Sequence, residues 1–122
     1  GDLLSRLNFD RPGLASMALT TDSAVMTGIG DDYGYERLFA RQVEALGREG
    51  DVLVGVSTSG QSPSVLEGLK AAREKGMATV GLTGNDGGEM QALVVRQINL
   101  PLKRVFGKIA LASRRIFRAI SV

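Results

Sequence analysis

Four hydroxyl side chains, Ser57, Thr58, Ser59 and Ser62, fall within the stretch STSGQSPSV at 57–65. Hydroxyls rotate to donate to any oxygen that comes near, and they carry no charge of their own. That chemistry suits the oxygens of a phosphate group. The stretch follows an apolar run, VLVGV at 52–56, and precedes a helical pattern that opens at Ser62 and Pro63. A strand end feeding a helix start offers unpaired backbone N–H groups and the positive end of a helix dipole, which together favour an anion. Gly60 lets the backbone turn and approach a ligand closely. The plainer reading is that Ser62 caps the helix and the other hydroxyls are turn residues. Capping accounts for one or two hydroxyls, not four, so the stretch reads as a phosphate site.

Other motifs are weaker. No G-x-x-x-x-G-K run exists, which excludes a Walker-type loop. GIGDDYG at 28–34 has the spacing G-x-G-x-x-x-G, not that of a dinucleotide fingerprint. GVSTSG resembles a nucleophile elbow, but its second glycine falls one place late. Asp31 and Asp32 are adjacent carboxylates placed in a loop, either solvated, capping a turn, or touching a ligand. TGNDGGE at 83–89 reads as a flexible turn after a strand.

The elements that would position the hydroxyls follow from periodicity. GDLLSRLNF at 1–9 reads as the end of a helix, broken by RPG at 11–13. Strands are expected near 15–20, 52–56, 78–82 and 94–100. The segment 22–32 reads as one helical turn and a loop. Helices are expected at 35–47 and 63–75, closed by Gly47 and Gly76, and at 104–119. The βαβαβα alternation predicts an α/β domain over 1–122. It would have a parallel sheet, right-handed crossovers and helices on both faces.

The chain has 122 residues with no cysteine and no histidine. Disulfides, thiolate metal sites, Ser-His-Asp or Cys-His catalysis and histidine-based metal sites are thereby excluded within it. No apolar run is long enough to span a bilayer, and the N-terminus lacks a signal-peptide layout, so a cytoplasmic protein is expected. All 13 acidic residues lie at or before Glu89, while seven of the 15 basic residues follow it. The basic C-terminal pattern has three readings: a helix packed on the sheet and in a subunit interface, an arm for nucleic acid or an anionic surface, or a sequence that has diverged. Its few aromatics place the nucleic-acid reading last.

Taken together, RPGLASMALTTD, DDYGYE, GDVLVGVSTSGQSPSV and GLTGNDGGEM resemble the phosphoheptose isomerases of the sugar isomerase (SIS) superfamily, from about Gly1 to Met90. The resemblance implies a doubly wound, flavodoxin-like three-layer α/β sandwich of SIS type and a homotetramer. It also implies conversion of sedoheptulose 7-phosphate to D-glycero-D-manno-heptose 7-phosphate for cell-surface heptose synthesis. By motif, Ser57, Thr58, Ser59 and Ser62 match the family's phosphate-binding hydroxyls, and Asp31 and Asp32 match a substrate-contacting Asn-Asp pair, with Asp31 departing from asparagine. Asp2 falls where the family places its glutamate base. The family's opening helices, first strand and glycine-serine loop are missing, which implies truncation at the N-terminus and a sheet covered by another subunit. The C-terminal RIQE run and its histidine are also unmatched, at 104–115. Some members bind zinc, but its histidine ligands are absent here, so no cofactor is expected. The expected partners are a sugar phosphate and other copies of the chain, with no nucleic acid and no membrane. The alternative function is a non-catalytic SIS module, like the replication-initiator-associated proteins, that binds a phosphosugar or a protein.

Overall fold

The computed structural model describes residues 3–6, 8–84, 86–99 and 108–112, the last segment and Asn99 by their backbone. Strand β1 (Ser16–Ala18) leads to helix α1 (Ser23–Tyr33), a 3-10 turn (Tyr35–Arg37) and helix α2 (Leu38–Leu46). Strand β2 (Val52–Ser57), helix α3 (Pro63–Glu74) and strand β3 (Ala78–Thr83) follow. A second 3-10 segment (Gly88–Leu93) then gives way to strands β4 (Arg96–Asn99) and β5 (Lys108–Ala112).

The sheet order is β1-β5-β2-β3-β4. β2, β3 and β4 are parallel neighbours, with Val52 opposite Ala78 and Ser57 opposite Thr83. Right-handed crossovers that keep advancing in a single direction along a sheet leave their helices on one face. Accordingly α1, α2 and α3 pack as a group, α2 against α3 and α3 against β2 and β3. The second helical layer expected of a doubly wound fold is not among the described residues.

The strand pleat divides two clusters. Leu53 on the helix side joins Phe39, Val43, Val65, Leu69, Ala72 and Met90 in the main core. Val52 and Val80 on the opposite side meet Leu3, Leu14, Val54 and Ala78. Two glycines in register, Gly55 and Gly81, let the covering elements come close. A Cβ on Gly55 would stand 3.2 Å from Val65 Cγ1, and one on Gly81 would stand 2.7 Å from Met90 Sδ.

Four expectations are corrected. Residues 22–32 are not one turn and a loop but most of an 11-residue helix. Asp22 caps it, with Oδ1 accepting from the Val25 N–H at 3.1 Å, so a good N-cap outweighs Gly28 and Gly30. In the opening stretch, the described residues 3–6 and 8–9 do not form a helix end. Leu3 O accepts from Leu14 N at 2.9 Å, because the RPG turn folds the chain back on itself. The helix expected over 104–119 is interrupted by β5 at 108–112, and the remainder of that span lies outside the described residues. Finally, the sheet is mixed: β5 runs antiparallel between β1 and β2. Both neighbours offer open hydrogen-bonding edges, and satisfying those backbone groups overrides an amphipathic side-chain pattern.

Candidate functional site

β2 ends at Ser57, whose side chain is buried, and the chain turns over Thr58, Ser59, Gly60 and Gln61 into α3. The turn closes with Gly60 N donating to Ser57 O at 3.3 Å. Gly60 adopts a left-handed φ of +67°, which only glycine takes without strain. Ser59 Oγ accepts from Gln61 N at 3.2 Å and remains exposed. Thr58 is half-buried, and its carbonyl accepts from Gly84 N at 3.0 Å.

Ser62 occupies the N-cap position of α3, yet its side chain makes no capping hydrogen bond. Its Oγ accepts from Ser57 Oγ at 3.2 Å instead. The plainer reading, that the Ser62 side chain caps α3, is not what the structure shows: Ser62 holds the N-cap position, but its side chain pairs with Ser57. An oxygen that accepts from Ser57 keeps its own O–H as a donor. Pro63 stands in the first turn and no acidic residue does, so the dipole at this end is not offset by a side-chain carboxylate. This combination of hydroxyl donors, a turn built on glycine and a helix start can hold a phosphate-sized anion without a basic side chain.

Of the residues expected to form the site, the structure joins Ser57 to Ser62 directly and places Thr58 and Ser59 in the turn between them. Asp31 and Asp32 are not in a loop. Both are exposed on the last turn of α1, which packs on α2 and on the 3-10 turn Tyr35–Arg37. That turn in turn contacts α3. Asp2 lies outside the described residues. Among the described residues, no three carboxylates converge in a way that could hold a metal ion, and the chain has no imidazole or thiol to add.

Sequence reasoning missed the wall behind this turn. Residues 86–88 were expected to be a flexible turn, but they pack tightly against 59–61. Met90 N donates to Gly60 O at 3.0 Å. A Cβ on Gly60 would sit 1.9 Å from Gly87 O, and one on Gly88 would sit 2.7 Å from Ser59 O. Gln97, on β4, donates through Nε2 to Thr83 Oγ1 at 3.1 Å and to Asp86 O at 3.2 Å. The available signal was the recurrence of glycines after two adjacent strands, at Gly60 and at Gly87–Gly88.

The fold and site define an α/β domain with a hydroxyl-lined turn at the carboxyl end of a parallel strand, where ligands bind in open α/β sheets. The chain belongs to the SIS domain family, whose pattern matches residues 1–84. It is similar to the phosphoheptose isomerase of Burkholderia pseudomallei (strain K96243), 57% identical over 101 residues, which cover 83% of this chain and 51% of that protein. The phosphoheptose isomerase of Nitratidesulfovibrio vulgaris (strain DSM 19637 / Miyazaki F) is 59% identical over 92 residues, covering 75% and 44%. A solved phosphoheptose isomerase from Francisella tularensis superposes with a TM-score of 0.76 at 36% identity, covering 84% of this chain and 56% of that one. The chain spans about half the length of the curated relatives it matches. Among the described residues, no helix is long and apolar enough to cross a membrane.

Proposed function

We propose that this chain is the sugar-phosphate-binding part of an aldose–ketose isomerase that acts on sedoheptulose 7-phosphate and yields D-glycero-D-manno-heptose 7-phosphate for cell-surface heptose synthesis. Ser57, Thr58, Ser59 and Ser62 grip the phosphate over the start of α3. One observation carries the reading: Ser62 stands at the cap position but is turned from capping by the buried Ser57. The likeness to phosphoheptose isomerases across the same residues supports the substrate class.

The reaction moves a proton from C1 of the ketose to C2 through an enediol, while a second proton leaves O1 and another reaches O2. It needs a base near the carbons and an acid near the oxygens. The hydroxyl loop binds and orients the far end of the substrate. Binding energy spent there positions the reacting end. Asp2 is the base carried over by resemblance, and Asp31 and Asp32 are carried over as substrate contacts. Phosphate capture by hydroxyl and backbone donors needs no metal from this chain.

The same reading includes a single domain, a homo-oligomer and a cytoplasmic setting. No residue of α1 is buried, and Val25, Tyr33 and Tyr35 are exposed apolar or aromatic groups along it and just beyond. Such surface is commonly covered by another subunit, a homotetramer in this proposal. A phosphate ester carries charge that is costly to bring into a bilayer, which suits the cytoplasm.

The test is calorimetric titration with sedoheptulose 7-phosphate. Wild type binds, and the Ser59→Ala/Ser62→Ala double variant binds more weakly. If the double variant titrates like wild type, the loop is only a turn and the proposal fails.

A further inference from the structure

Gln97, Gly87 and Gly60 lie in a stack that runs from β4 to the hydroxyl turn. At one end, Gln97 Nε2 is anchored on Thr83 Oγ1 and Asp86 O. In the middle, Gly87 takes a φ of +87° and lies so close that a Cβ there would meet Gln97 Nε2 at 1.8 Å. At the far end, the Gly87 carbonyl occupies the space in which a side chain on Gly60 would stand. Two further hydrogen bonds close the layers, from Gly84 N to Thr58 O and from Met90 N to Gly60 O, each 3.0 Å. Backbone packed this closely on both sides has little freedom to shift, since interiors transmit displacement instead of absorbing it.

We infer that Gln97 is a positioning residue: through residues 86–88 it holds the Thr58–Gln61 turn in the shape that presents its hydroxyl and N–H donors. The inference rests on the proposed role of that turn in binding phosphate. Gln97 touches no reacting atom. Its amide supplies two donor positions that a carbonyl and a hydroxyl can both use, and its reach spans the ends of two strands. Glutamate in its place would keep the length but set a carboxylate against the Asp86 carbonyl. Leucine would keep much of the bulk and lose both donors. Loss of such contacts costs on the order of one hydrogen bond each, which is enough to change a local opening equilibrium roughly tenfold.

The experiment measures amide hydrogen exchange in the ligand-free chain for wild type, Gln97→Leu and Gln97→Glu, alongside titration with inorganic phosphate. We expect exchange at Gly84 and Met90 to rise roughly tenfold in both variants while Leu53 and Leu69 in the core stay protected. The phosphate dissociation constant should rise by about the same factor. Unchanged exchange at Gly84 and Met90 overturns the inference. So does a uniform rise that includes Leu53 and Leu69, because Gln97 would then serve global stability alone. If wild type binds phosphate, Ser59→Ala weakens binding and the Gln97 variants bind like wild type, the inference is also overturned while the site reading survives. If the two amides loosen locally but wild type binds no phosphate, the turn's role as an anion site falls, while the hold on the turn is supported. Should either Gln97 variant fail to fold, Gly87→Ala displaces Gln97 from the other side and must give the same local pattern.

Discussion

Ser57 and Thr83 are register partners at the carboxyl ends of β2 and β3, and both are buried, at 1% and 0% exposure. Each passes its polarity to a group nearer the surface: Ser57 to Ser62, and Thr83 to Gln97. Two adjacent strand ends thus carry hydroxyls that organise the loops above them. Buried hydroxyls without partners are costly, so these pairings also fix where the loops sit.

Ser62→Ala separates capping from binding. A lost cap would cost about 1 kcal/mol of stability. Ser62 makes no capping bond but accepts from the buried Ser57 hydroxyl, so we expect stability to fall by about 1–3 kcal/mol through the orphaned Ser57 donor and to recover largely in Ser57→Ala/Ser62→Ala, while affinity for sedoheptulose 7-phosphate falls by about 1 kcal/mol in the single variant. A large fall in melting temperature with unchanged affinity would return Ser62 to a purely structural role.

Gly60→Ala should be far more damaging than its size suggests. The new methyl would overlap the Gly87 carbonyl, and alanine would be forced to a positive φ. Such strain costs on the order of 1–3 kcal/mol. Urea unfolding and phosphate titration should both deteriorate, and retention of either at the wild-type value would show that the turn can move.

Leu69→Ala probes the core beneath the site. Leu69 is fully buried and closes over Gly55. The expected loss is about 2–5 kcal/mol in equilibrium unfolding, with phosphate affinity of the remaining folded protein little changed. A selective loss of affinity would show that the core and the turn are coupled.

Chelation offers a sharp contrast between binding and zinc chemistry. With no histidine or cysteine in the chain, we expect phosphate binding to be the same before and after treatment with EDTA. A chelator-dependent affinity would point to a metal held by carboxylates.

Turnover should lag behind binding. A general acid or base contributes typically ~10²–10⁴-fold, and this chain supplies no imidazole for that work. We expect formation of the heptose phosphate at least ~10²-fold more slowly than with the phosphoheptose isomerase of Burkholderia pseudomallei assayed side by side. Equal rates would mean that a carboxylate such as Asp32 or Glu36 takes the missing role.

Much of this was legible before any coordinates. β2, α3 and β3 were readable because buried parallel strands are continuously apolar and because Ser62-Pro63 and Gly76 mark the helix ends. The turn that carries Ser57, Thr58, Ser59 and Ser62 followed from where these residues fall between those elements. α1 was not readable, since two glycines masked a helix whose start depends on one capping carboxylate. The role of Gln97 was not readable either. It depends on a meeting between β4 and residues 86–88 across the sheet, which no local pattern encodes. β5 was misread for the same kind of reason: apolar residues that suit one helical face also suit a short strand, and the open edges of β1 and β2 decided the outcome.

The place of β5 in the sheet also sets an order of events. Among the described residues, β1 is the first strand, and in the sheet it pairs only with β5, the last. As the chain leaves the ribosome, β2, α3 and β3 can assemble from near neighbours, whereas β1 must wait for β5, its distant partner, to emerge. Contacts between such distant segments form late because closing a long loop is entropically slow. The hydroxyl turn, which belongs to the early part, would be in place before the sheet is finished at its other side.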